Sequence, residues 1–435
     1  MARSLAQWLE LQEAAHPKSI DLGLARVGAV ARRLGVDRSQ AAVITVGGTN
    51  GKGSTVAHLE ALSLAAGRSV GLFTSPHFLR YNERIRIDGL EADDAAIVAA
   101  FERIEAARDG TTLTFFEYNT LAALLLFAER RVELALLEVG LGGRLDATNL
   151  IDADVSVVCS VGLDHRDWLG DTLEAIGAEK AGIFRAGRPA VLGTAHMPAS
   201  VYSTIARVGA QPIVAEQDFS WQVMPGTEGP PRWSYRGAGL ELRDLPPSAL
   251  AGSIQYRNAA TALAALEALA WRSAVAAEVV AHLDGGTVAA ALRQVRLEGR
   301  FQIVPGPVEW ILDIAHNPPA AQVLAAQLKE RPCQGRTLAV VGILGDKDAP
   351  SIAQALAPAL DRWFLCTLEG PRGVSAAELA RRLEPVVRDP ILAGSVPAAC
   401  EAARAAARAG DRVVVCGSVH TVGPALEWLG VYSCR

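Results

Sequence analysis

Apolar residues fall into short runs separated by longer stretches with helical spacing. Residues 42–47 (Ala-Val-Ile-Thr-Val-Gly) read as a buried strand entering a glycine-rich turn, and the Ala/Leu-rich stretch 53–67 reads as a helix. Runs at 69–73, 134–139, 154–161 and 189–193 predict further strands, and 91–107, 117–131 and 171–184 predict helices between them. Strands alternating with helices imply a mainly parallel α/β sheet. Within 219–247, aromatic and polar residues alternate around Pro225-Gly226 and Gly229-Pro230-Pro231, which predicts antiparallel hairpins on the margin of that sheet. Helices are expected at 254–271 and 274–284, the second broken by Asp284-Gly285-Gly286-Thr287. A second α/β series follows, with strands at 308–314, 337–342, 362–367 and 412–416. The expected organisation is two α/β domains, 1–285 and a smaller 300–435, joined by a semi-rigid linker at 286–299.

Composition narrows the class. The 435 residues are 50% hydrophobic and 20% charged, which excludes a disordered or fibrous chain. A net charge of -5 gives no footprint for nonspecific binding to nucleic acid or an anionic membrane. The N-terminal stretch lacks a signal-peptide apolar core, and no apolar run is long enough to span a bilayer, so a soluble cytoplasmic protein is expected. Six scattered cysteines, Cys159, Cys333, Cys366, Cys400, Cys416 and Cys434, show no metal spacing and read as free thiols in a reducing compartment. Of the 42 basic residues only five are lysines: Lys18, Lys52, Lys180, Lys329 and Lys347. A lysine in so Arg-rich a chain is a candidate for chemistry a guanidinium cannot do.

One lysine sits in an informative string. Gly47-Gly48-Thr49-Asn50-Gly51-Lys52-Gly53-Ser54-Thr55 follows a strand and opens a helix, the context of a phosphate loop. Gly51, Lys52, Gly53 and Ser54 are the candidate ATP-binding residues, with Lys52 on the β/γ-phosphates and Ser54 on Mg²⁺. The string departs from the usual pattern because Gly53 separates Lys52 from Ser54. This variant resembles the ATP-dependent amide ligases of the Mur ligase superfamily. Asp21-Leu22-Gly23-Leu24, Thr74-Ser75-Pro76-His77, Phe115-Phe116-Glu117, Leu137 through Asn149, Leu163-Asp164-His165, Glu179 through Arg185, Asp313 through Pro318, Gly345 through Asp348 and Cys416 through Thr421 narrow the match. Across nearly the full chain they resemble the folylpolyglutamate synthase family, bacterial dihydrofolate synthase/folylpolyglutamate synthase type. The resemblance implies a P-loop ATPase-like first domain and a Rossmann-like second, glutamate-ligase domain.

It also implies roles for particular residues. Glu138 ends a buried strand, where a carboxylate either caps a loop or holds a metal; by resemblance it is a Mg²⁺ ligand. Ser75 is a turn residue or a ligand, and His165 a structural histidine or a ligand of a second Mg²⁺. Lys180 is a solvated helix lysine or, as the resemblance implies, a carbamylated metal ligand. Asn258, Arg300 and Asp313 would contact ATP, gripped across the domain cleft. His316 is a candidate catalytic residue, and with Ser418 and His420 it would face the same cleft as a glutamate or phosphate contact; core or loop roles stand equally. Asp21, Leu22, Gly23, Thr114, Phe115, Phe116, Glu117, Leu145, Asp146 and Ala147 would line the pterin pocket, where Phe115 and Phe116 either stack on a flat ring or belong to the core. Tyr118-Asn119 stands where related enzymes often carry Phe-Gly.

The implied reaction is carboxylate activation by ATP with two Mg²⁺ ions, then addition of L-glutamate to dihydropteroate and to reduced folates by a monomer. A monofunctional folylpolyglutamate synthase is the nearest alternative, and a P-loop phosphotransferase or NTPase a more distant one. A peptidoglycan-precursor ligase would carry a substrate domain for which the 46 residues before Gly47 are too few. A non-catalytic folate-binding module would have no use for Lys52, Ser54, Glu138, His165 and Lys180 together.

Overall fold

The computed structural model describes residues 3–14, 16, 20–226 and 229–432; Lys18 and Cys434 lie outside them. The chain forms two compact units, one of residues 1–249 and 256–295, the other of 250–255 and 296–435.

In the first unit, strands β1 (Ala42–Gly47), β2 (Val70–Phe73), β3 (Ile85–Ile87), β4 (Leu90–Glu91), β5 (Leu134–Glu138), β6 (Val155–Val158), β7 (Pro189–Leu192) and β8 (Gln211–Val214) form one sheet in the order β4-β3-β2-β5-β1-β6-β7-β8. All pairings from β2 to β8 are parallel, and β3 and β4 add an antiparallel edge. Side chains alternate between faces along each strand. Ile44, Val46, Leu134, Leu136, Val155 and Val157 enter one apolar cluster with Leu263 and Leu266 of the helix Ile254–Ala270. Val43, Phe73, Ala135 and Leu137 enter another with Phe101 and Tyr118. A sheet covered on both faces needs continuous apolar strands, which is why these runs were legible. The hairpin region forms a separate three-stranded antiparallel sheet of β9 (Ser220–Met224), β10 (Arg232–Arg236) and β11 (Glu241–Leu245), not a margin of the main sheet.

The expected linker is corrected. Asp284 does not merely break a helix: its side chain accepts from Thr287 N and caps a new one, Gly285–Gln294, which packs on the helix Lys52–Ala65 within the first unit. The units divide after Val295. No single helix among the described residues is long and apolar enough to cross a membrane.

The second unit holds β12 (Gln302–Val304), β13 (Glu309–Asp313), β14 (Thr337–Val341), β15 (Arg362–Cys366), β16 (Ile391–Ala393) and β17 (Arg412–Cys416), in the order β12-β13-β17-β14-β15-β16. All are parallel except β12. Asp411, just before β17, accepts from Arg336 N and Nη2 at 2.7 Å each and from Arg408 N at 3.0 Å. The hydrogen bond from Arg336 leads the causes that hold its carboxyl down at about 2. A carboxylate depressed in the folded state stabilises above its unfolded value of 3.8 and loses that contribution as pH falls toward 2. The Arg336 side chain is 41% exposed, so screening reduces the term to roughly 1 kcal/mol. Asp411→Asn should lower the urea midpoint at pH 6 and flatten its fall between pH 4 and 2; parallel wild-type and variant curves would remove Asp411 from the account.

Candidate active site

The parallel register brings the strand ends of the first unit level. Val46 pairs with Glu138, Gly47 with Val158, and Phe73 with Leu137. The segments that follow, Thr74-Ser75, 139–146, Gly48–Gly51 and Cys159–His165, therefore leave one edge of the sheet, where open α/β folds bind ligands.

The phosphate loop is tied down by residues the sequence reading did not single out. Thr49 N donates to Ser160 O at 2.8 Å, Gly162 N donates to Thr49 Oγ1 at 2.9 Å, and Asn50 N donates to Ser160 Oγ at 3.1 Å. Gly48 has φ +140°, and a Cβ there would lie 3.1 Å from Cys159 N. Gly51 has φ +92°, and its Cβ would meet Asn258 Oδ1 at 3.1 Å. Left-handed backbone and close packing both require glycine at these points. Asn258 thus rests against the loop, beside the start of the helix Lys52–Ala65. One turn into that helix, His58 donates from Nδ1 to Ser54 O (2.7 Å) and accepts from Ser248 Oγ (3.0 Å), which fixes a neutral tautomer. Ser54 is buried.

Two lysines converge on this loop. Lys52 Nζ donates to Gly48 O at 3.1 Å and to Thr49 O at 3.4 Å, and Lys180 Nζ donates to the same Gly48 O at 3.1 Å. Lys180 is 5% exposed, so the solvated-helix alternative is removed. Burial, reinforced by the Lys52 charge, draws its amine down to about 7. Gly143 makes this placement feasible, because a Cβ there would lie 2.8 Å from Lys180 O.

Glu138 is 2% exposed; its Oε2 accepts from Thr74 Oγ1 and, at 3.4 Å, from Ser75 N. His165 has left-handed backbone (φ +51°), and its Nε2 lies 3.9 Å from Asp164 Oδ2. No group of three His, Cys, Asp or Glu side chains converges among the described residues. The candidate donors are instead hydroxyls, one carboxylate, one imidazole and one amine. The oxygen donors suit Mg²⁺, whereas a protonated Lys180 would repel it; the set fits a hard cation once that amine is a carbamate.

Several expected pocket residues brace the site internally. Thr114 and Glu117 form a reciprocal capping box on the helix Phe115–Arg130, and Glu117 also accepts from Arg26, whose Nη1 donates to Asp21 Oδ2 at 2.6 Å. Asp146 accepts from Gly140 N, Leu141 N, Thr148 N and Thr148 Oγ1, which shapes the 140–148 turn and fills its oxygens. Leu22, Gly23 and Leu145 are half-buried and Ala147 is buried. Phe115 and Phe116 are half-buried: Phe116 packs on Phe73 with ring centroids 5.6 Å apart, and Phe115 lies edge-on to Tyr81. Tyr118 and Asn119 turn away into the core, bonding Glu105 and Tyr81.

In the second unit, β13, β17 and β14 end level at Asp313, Cys416 and Val341. Asp313 accepts from Phe301 N and Ala315 N at 2.8 Å each; burial raises its pKa, opposed by the Arg300 charge. His316 Nδ1 donates to Ile314 O at 2.8 Å. Ser418 caps the helix Val419–Trp428 by accepting from His420 N at 3.1 Å. Burial lowers the pKa of His420.

Comparison with known proteins agrees with this layout. Residues 46–199 match the Mur ligase middle domain and residues 299–419 the Mur ligase glutamate ligase domain. The chain is 45% identical over 426 residues to the Escherichia coli dihydrofolate synthase/folylpolyglutamate synthase, covering 98% of this chain and 96% of that one. It is similar to the structure of E. coli FolC in complex with DHPP and ADP (TM-score 0.90, 43% identity, 99% and 98% coverage). It is also similar to a bifunctional folylpolyglutamate synthase/dihydrofolate synthase with Mn, AMPPNP and L-glutamate bound (TM-score 0.87, 41% identity, 98% of each chain).

Proposed function

The chain belongs to the dihydrofolate synthase/folylpolyglutamate synthase family of Mur ligases, and from that membership we propose an ATP-dependent ligase that adds L-glutamate to dihydropteroate and to reduced folates, acting as a monomer. The observation that carries this reading is the meeting of Lys52 and Lys180 on the carbonyl of Gly48, in the loop that leaves the same sheet edge as the buried Glu138. Two amines crowded together are stabilised by an anion, and an ATP phosphate would supply it.

In the first step a substrate carboxylate oxygen attacks the γ-phosphorus of ATP. The bond from that phosphorus to the β,γ-bridging oxygen breaks, and ADP leaves with the electron pair. The glutamate amine then attacks the acyl carbon of the acyl phosphate, the carbon–oxygen bond to phosphate breaks, and the amine loses a proton as the amide forms. The backbone N–H groups of Gly51 and Gly53 and the Lys52 ammonium neutralise phosphoryl oxygens. Asn258 orients the adenine, and Arg300 and Asp313 hold the rest of the nucleotide. His316, Ser418 and His420 serve the glutamate. The pterin acid lies along Phe115 and Phe116 in a pocket whose walls Asp21–Gly23, Thr114, Glu117 and Leu145–Ala147 set. Ser54, Ser75, Glu138, His165 and a carbamylated Lys180 would hold two Mg²⁺ ions, which when bound supply charge neutralisation on the phosphoryl and acyl oxygens.

ADP release assayed with glutamate and each acyl substrate in turn tests this. Release should require both glutamate and a pterin acid, and both dihydropteroate and tetrahydrofolate should serve. Product from tetrahydrofolate alone would leave a monofunctional folylpolyglutamate synthase. Release with neither substrate would return the protein to the NTPases.

A further inference from the structure

Three arginines among the described residues are buried: Arg84 and Arg86, each 8% exposed, and Arg412, 3% exposed. Arg86 is neutralised by Glu60, to which its Nε and Nη2 donate at 3.1 and 2.6 Å. Arg412 spends both Nη groups on the carbonyls of Leu328 and Arg331 and on Thr337 Oγ1. Arg84 differs. Its side chain makes one hydrogen bond among the described residues, from Nε to His77 Nδ1 at 2.7 Å, and that acceptor is a neutral ring nitrogen. Among the described residues neither Nη group makes a hydrogen bond and no carboxylate forms an ion pair with it. Glu83, the adjacent acid, is committed to the backbone N–H groups of Phe78, Leu79 and Arg80 at 2.8 Å each. Burial disfavours the charged guanidinium, the charges of Tyr81, Glu83 and Glu138 offset part of that cost without bonding the Nη groups, and an anion on those open donors would offset more.

Its surroundings specify the anion. Arg84 O accepts from Thr74 N at 2.9 Å, and Thr74 Oγ1 in turn donates to Glu138. The guanidinium carbon lies 5.4 Å from the Phe115 ring centroid. The guanidinium thus sits near an aromatic face, with Glu138 close enough to act on its charge. A ligand suited to both is a carboxylate on a body that also carries an aromatic ring, attached directly as in a pteroate or through a glutamyl arm as in a folate. We propose that the Nη groups of Arg84 bind the reacting carboxylate of the acyl substrate and hold its oxygens for attack on the γ-phosphate. This rests on the ligase reading above. Arg84 touches substrate in both reactions, because dihydropteroate and folates present their reacting carboxylate to the same phosphate. A planar fork is what such recognition needs, so lysine is a poor replacement.

The test compares wild-type, Arg84→Gln and Arg84→Lys full-length proteins. Both variants should lose about 100-fold in kcat/KM for dihydropteroate and for tetrahydrofolate, the scale of a lost transition-state donor, with KM for ATP and the melting temperature near wild type. A descarboxy pterin analogue should bind wild type more weakly than dihydropteroate, and Arg84→Gln should bind the two alike. If Arg84→Gln folds poorly, the same comparison in Arg84→Lys carries the test. Undiminished turnover, a loss confined to tetrahydrofolate (which would assign Arg84 to a spectator carboxylate), or a parallel loss of ATP affinity would each overturn the inference. Wild-type protein that releases no ADP with any pterin acid would instead bring down the ligase reading itself.

Discussion

Lys52→Ala should lower ADP release by at least about 1,000-fold with either pterin acid while leaving the melting temperature almost unchanged. The asymmetry follows from where the side chain spends its bonds. Its ammonium is held by the carbonyls of Gly48 and Thr49, both in the loop itself, and its stem is half-buried. The loop has independent anchors in Thr49, Ser160 and Gly162, so truncating Lys52 removes no strut. What is lost is a positive charge at the mouth of a helix whose N-terminus already favours anions. Calorimetry with an ATP analogue should show weakened binding, and the turnover loss should exceed that weakening because charge builds on the phosphoryl oxygens in the transition state. Near-normal turnover with either pterin acid would remove the phosphate-loop assignment.

The parts of this site that were legible in the sequence are those encoded locally. A strand, a glycine-rich turn, a lysine and a helix occupy one continuous string at 42–67, and the structure keeps that order. The tether from Thr49 to Ser160 and Gly162 was not legible, because it joins residues more than a hundred positions apart through the β1–β6 pairing. Some of what was missed did have a signal. Thr114-Phe115-Phe116-Glu117 has the spacing of a capping box, and the structure closes it in both directions. Asp284-Gly285-Gly286-Thr287 was read as a helix breaker and hinge, yet an aspartate three residues before a free backbone N–H is equally a helix opening, and here it starts Gly285–Gln294. Among the elements that escaped are the helices Leu5–Ala14, Ala25–Leu34 and Ala199–Val208, the strand β8, and the short edges β3, β4, β12 and β16, which span two or three residues each, too few for a period to register. Lys180 lies between these cases. Its rarity as a lysine marked it, but only the fold shows that it is buried and faces Gly48.

That burial leads to the second large effect. Lys180→Ala and Lys180→Arg should both be inactive, and a small carboxylic acid such as acetate should partly restore only the alanine variant. A buried ammonium competing with Lys52 for one carbonyl is an unfavourable arrangement, and the amine's pKa, drawn to about 7 chiefly by burial, reflects it. The same depression leaves a sizeable neutral fraction at physiological pH, and the neutral amine is the form that adds to CO₂. The amine nitrogen bonds to the carbon of CO₂ and loses a proton, so a cation becomes a carbamate anion. That exchange removes the repulsion with Lys52 and presents hard oxygen donors at the phosphate loop. An arginine cannot make this adduct and keeps its charge, so its variant leaves neither room nor need for added acid. The alanine variant vacates both, and an external carboxylate can occupy the space. The sign of the pH effect follows: as pH falls below 7 the amine protonates, carbamate is lost, and turnover should fall unless bicarbonate is raised. Mass spectrometry under CO₂ trapping, or density at the amine in a high-resolution map, would report the adduct directly. A bare amine together with wild-type turnover in Lys180→Arg would show that Lys180 serves the loop only as a hydrogen-bond donor to Gly48.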